Sequence, residues 1–151
     1  MKWNRKFVYP KSIRSTDNGI RRYLIGEKKL PSVTSILEAT KSEEDKAALA
    51  NWVERTGLKE SEAIVKAASS RGSKMHAYLE SFLLGRENLS FFDDNEQYKI
   101  MAKQIIEKGL INRFEEVWGV ECTLYKPDSY SGTCDAVGVY DGRESIIDFK
   151  Q

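Results

Sequence analysis

The sequence predicts an α+β fold in which helices come first and a sheet comes last. Three observations carry this reading. Residues from about 33 to 113 fall into helix-periodic stretches, the chain from 116 onward alternates as strands do, and Asp141-Gly142 marks a tight hairpin between the last two strands. With 151 residues and no repeat or low-complexity linker, the chain fits one domain large enough to bury a core. Its expected layout is a basic N-terminal hairpin over 1–30, a mainly helical part over 31–115 and core strands over 116–151.

Each element has a local cause. Residues 5–25 read as two strands around a turn at 15–19 that contains Asn18-Gly19. Pro31-Ser32-Val33-Thr34 opens a helix with Ser32 as its N-cap. Residues 43–56 form a second helix, and Gly57 is its stop. The helix over 61–84 carries Met75, Leu79, Phe82 and Leu83 at helical spacing, which defines a buried stripe. Gly72, His76 and Glu80 form an i, i+4, i+8 row beside that stripe, at the boundary of the core. A further helix is expected over 94–113, capped by Asp93 or Asp94 and weakened near its end by Gly109. Strands follow over 116–125, 132–140 and 145–150.

Composition narrows the function classes. No apolar run approaches a membrane span, and the opening MKWNRKFVYP lacks the apolar stretch of a secretory signal. Cys122 and Cys134 therefore read as reduced thiols, and the expected location is the cytoplasm. Two cysteines and the single His76 make a closed cysteine/histidine zinc site improbable. The net charge of +1 conceals an asymmetry: residues 1–30 hold nine Lys/Arg against Asp17 and Glu27. Trp3, Phe7, Tyr9 and Tyr23 are interleaved with those cations, and Arg21 and Arg22 stand among them. Basic and aromatic residues together suit phosphate contact and base stacking. The simpler alternative is a solvated basic hairpin with its aromatics packed inward.

The chemistry concentrates near the C-terminus. If Asp141-Gly142 forms a two-residue loop, Tyr140 pairs with Arg143 and Asp135 falls opposite Asp148. Two carboxylates about 5 Å apart repel by roughly 3 kcal/mol at an effective dielectric near 20. A cation between them, or a proton on one, relieves that repulsion. On a strand Lys150 shares a face with Asp148, where it can offset charge, orient a water or stabilise a phosphate. A four-residue loop would instead pair Asp135 with Lys150 as an ordinary cross-strand ion pair. Gly132 opens the strand leading to Asp135 and permits close approach of a backbone or ligand. His76 and Glu80, one helical turn apart, and Glu121 on the preceding strand are further candidate groups around a metal or phosphate.

Taken in order, His76-x-x-x-Glu80, Gly132-Thr-Cys-Asp135 and Ile147-Asp148-Phe149-Lys150 resemble the PD-(D/E)xK nuclease superfamily, in its RecB-like exonuclease branch. LPSVTSIL at 30–37, Trp52 and ASSRGSKMHAYLES at 68–81 are similar to phage exonucleases and the mitochondrial genome maintenance exonuclease family. The resemblance runs from about Tyr23 to the C-terminus. It implies a restriction-endonuclease-like α/β core and Mg²⁺- or Mn²⁺-dependent hydrolysis of DNA, usually from ends and often on single strands. By position it implies His76, Asp135 and Asp148 as metal ligands, joined by the Phe149 carbonyl, and Lys150 as the catalytic lysine. Glu121 would assist catalysis, Glu80 would take a supporting or substrate-side role, and Arg71 and Gly72 would line the DNA path. Roles in DNA recombination or repair follow, with the host cytoplasm as location if the chain is phage-encoded. Family members continue past the D-x-K strand into a helix and another core strand, whereas this sequence ends at Gln151. The expectation is thus a core without those C-terminal elements. A DNA-binding module without catalysis is the alternative reading.

Overall fold

A computed structural model of the chain describes residues 1–86 and 96–151. In chain order the elements are β1 (Lys2–Trp3), β2 (Ile13–Asp17), β3 (Ile20–Ile25), β4 (Lys28–Pro31), α1 (Val33–Ala39), α2 (Glu43–Thr56) and α3 (Leu58–Leu83). They continue with α4 (Gln97–Ile105), a π-helical segment (Ile106–Leu110), β5 (Phe114–Lys126), β6 (Tyr130–Tyr140) and β7 (Arg143–Ile147). The fold is α+β, as the sequence predicts. Backbone contacts group the chain into two compact units.

The first unit comprises Met1–Tyr9, Ser69–Cys122 and Thr133–Gln151. Its core joins Met75, Leu79 and Leu83 of α3 to Ala102, Ile106, Leu110, Phe114, Val117, Ala136 and Phe149. Spacing of three or four residues stacks Met75, Leu79 and Leu83 on one helix face. Each large apolar side chain buried there contributes about 1.5–3 kcal/mol. Phe82 packs half-buried against this core rather than inside it. The sheet order is β1-β5-β6-β7, and the sheet is mixed: β1 is parallel to β5, with Trp3 beside Val117, and β7 is antiparallel to β6. Trp3 is secured by its indole N–H, which donates to the Leu83 carbonyl at 3.0 Å.

The helix expected over 94–113 is shorter than its periodicity suggests. It begins at Gln97 and widens into π geometry from Ile106 to Leu110, which keeps both of those side chains in the core. Asn112 then takes a positive φ of 63° and ends it. The expected caps, Asp93 and Asp94, lie outside the described residues.

The second unit comprises Pro10–Ala68 and Thr123–Gly132. Here the expected hairpin is a three-stranded antiparallel sheet, β2-β3-β4. Asn18-Gly19, with φ of 50° and 78°, makes the expected first turn, and Gly26, at φ 60°, supports a second. Strand β4 is four residues long and begins Lys-Lys, so it carries no alternation by which to find it. Lys29 pairs with Asp17, and Lys28 with Asp128 at 2.5 Å, so part of the N-terminal positive charge is locally compensated. Tyr23 is buried. The buried Ser32 caps α1 by accepting from the Ser35 N–H at 3.0 Å, and Gly57 ends α2 at φ 87°. Gly132 faces the Val33 side chain, which an added Cβ would meet at 3.3 Å. Its smallness serves packing at that point.

Candidate metal centre

Three side chains from three elements of the first unit converge. His76 comes from α3, Glu121 from β5 and Asp135 from β6, and one ligand atom from each lies within 4.8 Å of the others. His76 Nδ1 and Asp135 Oδ1 are 3.0 Å apart and hydrogen-bonded. The Phe149 backbone N–H donates to Asp135 Oδ2 at 2.5 Å, and the Phe149 ring stands edge-on to the His76 imidazole with centroids 6.2 Å apart. Asp135 is therefore held at both oxygens, and its side chain is only 13 % exposed.

Glu121 reaches this cluster through its backbone. It takes φ 51° inside β5, the left-handed conformation that non-glycine residues adopt at a cost of about 1–2 kcal/mol. A left-handed residue in a strand breaks the strict alternation of side chains and re-aims its own. Desolvation raises the Glu121 carboxyl above the usual range, and the charges of Asp135 and Glu80 push it the same way; His76 opposes them. Glu121 nonetheless keeps solvent access. Such a carboxylate is short of positive charge.

The hairpin forms with the two-residue loop, from Tyr140↔Arg143 to Ala136↔Ile147. The ladder stops there, one pair before Asp135 and Asp148 would face each other. This corrects the expectation of an opposed carboxylate pair. Asp135 takes the Phe149 N–H and His76, while Asp148 pairs with Lys150 outside the strand. Asp148 is not among the three converging residues, and Lys150 is largely exposed. Because β7 ends at Ile147, the period-two argument placing Lys150 on a strand face does not apply. The Phe149 side chain belongs to the core.

The remaining expected residues surround the cluster or lie elsewhere. Glu80, half-buried on α3, is 3.7 Å from Arg86. Arg71 Nε donates to Gln151 Oε1 at 3.1 Å and Arg71 Nη1 to Gln97 Oε1 at 3.3 Å. Gly72 leaves room for the same glutamine, since an added Cβ would stand 2.9 Å from Gln151 Nε2. Gln97 and Gln151 carry no motif, and their bonds to Arg71 span 26 and 80 residues. Arg21 and Arg22 are neighbours on β3 in the second unit, so their side chains take opposite faces of that sheet, both half-buried. Trp3 and Phe7 are partly exposed in the first unit, where Phe7 meets Trp118 edge-on at 5.6 Å. Trp3, Phe7 and Tyr9 thus belong to the first unit, and Arg21, Arg22 and the buried Tyr23 to the second.

No family model matches the chain. It is 28 % identical over 129 residues to mitochondrial genome maintenance exonuclease 1 of Homo sapiens, a span covering 80 % of this chain and 36 % of that protein. The similarity points to a nuclease relationship. The chain therefore spans about a third of the length of the relative it matches. Among the described residues, no helix is long and apolar enough to cross a membrane.

Glu121 makes the cluster pH-sensitive with a definite sign. Its folded pKa is raised, so the folded state binds the proton more tightly than the unfolded chain. In metal-free buffer that contribution is present below the ordinary glutamate range and is lost as pH rises through the raised value. Melting temperatures in EDTA should fall more steeply over that window for wild type than for Glu121→Gln. Equal slopes would remove Glu121 from the cluster.

Proposed function

We propose that this chain is a divalent-cation-dependent deoxyribonuclease of the PD-(D/E)xK superfamily, in the RecB-like exonuclease branch. It hydrolyses phosphodiester bonds from DNA ends, on single strands. The observation that carries this reading is the convergence of His76, Glu121 and Asp135 within 4.8 Å. Ligand atoms about 4–4.8 Å apart can share one ion with bonds near 2.0–2.4 Å. Two carboxylates and one imidazole match Mg²⁺ or Mn²⁺, with the nitrogen favouring the latter. The raised Glu121 carboxyl is relieved by the same cation. The human relative is named an exonuclease, which agrees with this assignment.

The chain's residues divide the work. His76, Glu121 and Asp135 hold the cation, which when bound polarises the phosphate and acidifies water. Asp135 also fixes the backbone of the Asp148–Lys150 segment through the Phe149 N–H. Lys150 supplies an ammonium group for charge developing on the phosphate, and Asp148 restrains it as an ion pair. Overall, water adds to phosphorus and one P–O ester bond breaks, leaving a phosphate end and a hydroxyl end. With a cation bound, Asp148 and the Phe149 carbonyl would be further candidates to hold it, beside the Phe149 N–H that Asp135 accepts.

The test is Mg²⁺- or Mn²⁺-dependent degradation of an end-labelled single-stranded oligodeoxynucleotide. Lys150→Met should slow it by roughly 100-fold or more. Intact substrate with wild-type protein and Mn²⁺ would overturn the reading for this chain. The Asp148–Lys150 pairing outside the cluster favours a second reading, DNA binding without hydrolysis. Binding that persists without any cleavage would select it.

A further inference from the structure

The second unit holds a cleft of about 350 Å³, a size within the range of small-ligand sites. Two tight turns build it. On one side Gly26, at φ 60°, joins β3 to β4 and sets Ile25 beside Lys28 in the ladder. On the other, Pro127 and Asp128 join β5 to β6, and the Ser129 N–H donates to the Lys126 carbonyl at 3.1 Å. Ile25, Pro127 and the buried Leu30 give the cleft an apolar lining. Tyr125 adds a ring that is 47 % exposed. Among the described residues this ring meets no other aromatic ring, and its hydroxyl has no hydrogen-bond partner. Lys28 Nζ donates to Asp128 Oδ1 at 2.5 Å, which ties the two turns together. Neither group makes another hydrogen bond among the described residues, so ammonium N–H groups and the second carboxylate oxygen are available to a ligand. Glu27 and Asp128 outnumber Lys28 in the lining, which disfavours a phosphate there. A flat, neutral ligand with polar edges fits instead.

We propose that this cleft takes one base of a DNA strand, stacked on Tyr125 with its edge toward Lys28 and Asp128. This rests on the nuclease reading and deepens it by adding a base contact to the phosphate chemistry of the metal centre. Every base has an aromatic face, and an unpartnered tyrosine ring offers it a stacking platform. An ammonium donor beside a carboxylate acceptor matches an edge that sets a carbonyl next to an N–H, as thymine and guanine do. An apolar peptide side chain would leave both polar groups unused. Tyr125 follows Glu121 by four residues on β5, so the same protein strand carries a group of the metal centre and a wall of the cleft.

The test is binding of a fluorescein-labelled thymidine oligomer, followed by anisotropy in EDTA over a range of KCl concentrations. Tyr125→Ala should weaken binding by roughly 5- to 150-fold, the range for one lost base–aromatic stack. The slope of log K against log salt should stay unchanged, because no phosphate contact is lost. Tyr125→Phe should bind like wild type, and Tyr125→Leu, which keeps apolar bulk without a ring, should bind like Tyr125→Ala. Melting temperatures of the leucine and phenylalanine variants should match, which separates loss of the ring from loss of fold. On an abasic strand of equal length the difference between wild type and Tyr125→Ala should vanish. An oligomer of N3-methylthymidine, which lacks the N–H, should bind wild type more weakly than the thymidine oligomer but bind Asp128→Ala no differently. Equal binding of both oligomers by wild type would overturn the edge contact. Weaker binding of thymidine monophosphate by Tyr125→Ala, with oligomer binding unchanged, would make the cleft a free-nucleotide site and overturn its assignment to the strand. A Tyr125→Ala defect that persists on the abasic strand would overturn the base site. So would unchanged oligomer affinity in Tyr125→Ala and Tyr125→Leu, and with wild type still binding and cleaving DNA the nuclease reading would stand. Wild type that binds no DNA would overturn both.

Discussion

Replacing Asp135 with asparagine is expected to abolish metal-dependent cleavage, by roughly 100- to 1,000-fold, while the fold survives. The asymmetry comes from the two jobs of one carboxylate. Asp135 stands in the cluster with His76 and Glu121, its Oδ1 bonded to His76, and its Oδ2 accepts the Phe149 N–H. An asparagine oxygen can keep the Phe149 bond but brings no charge for a cation. Asp135→Ala should also lose activity and additionally leave the Phe149 N–H without its acceptor, at about 1–3 kcal/mol. Cleavage assays paired with thermal melts distinguish the two variants. If Asp135→Asn cleaved like wild type, the cluster would not be the reacting site.

Gly138→Ala should be the most damaging small substitution for stability. An added Cβ would stand 1.9 Å from the Glu116 carbonyl oxygen and 2.5 Å from a Phe114 ring carbon. The oxygen belongs to the backbone of β5, so the clash cannot be relieved by turning a side chain. Phe114 is 1 % exposed and has nowhere to move. Overpacking of this kind costs about 3 kcal/mol or more, a fall in melting temperature of roughly 6–12 °C. Gly109→Ala is the control: the nearest atom to its added Cβ is 4.0 Å away, in a helical segment that alanine favours. It should be neutral or slightly stabilising. Equal effects at 109 and 138 would contradict the packing of β6 on β5.

The contrast between these sites shows what a sequence can and cannot convey. Helix α2 was legible at both ends because its causes are local, in its periodicity and in Gly57. The Asp141-Gly142 loop was legible for the same reason, and so was the stripe of Met75, Leu79 and Leu83. Strands β1 and β4 were not, being two and four residues long with no alternation to follow.

The candidate site divides in the same way. His76 and Asp135 could be chosen by type and spacing, and the structure brings them together. The place of Asp148 could not, because no local signal marks the end of β7 at Ile147, and Asp135 bonds instead to residues 14 and 59 positions away. The left-handed turn of Glu121 has no Asn-Gly signal, yet it brings a third side chain into the cluster. The neutral clamp on Arg71 rests on two glutamines distant in sequence, and nothing local announces it.

The central claim is that His76, Glu121 and Asp135 together hold one divalent cation. Titration with Mn²⁺, followed by calorimetry and by electron paramagnetic resonance of the bound ion, tests it most directly. The account predicts one Mn²⁺ per chain, a nitrogen coupling that disappears in His76→Ala, and weakened binding in Glu121→Gln and Asp135→Asn. Wild type that binds no Mn²⁺, or binds it unchanged in all three variants, would contradict it.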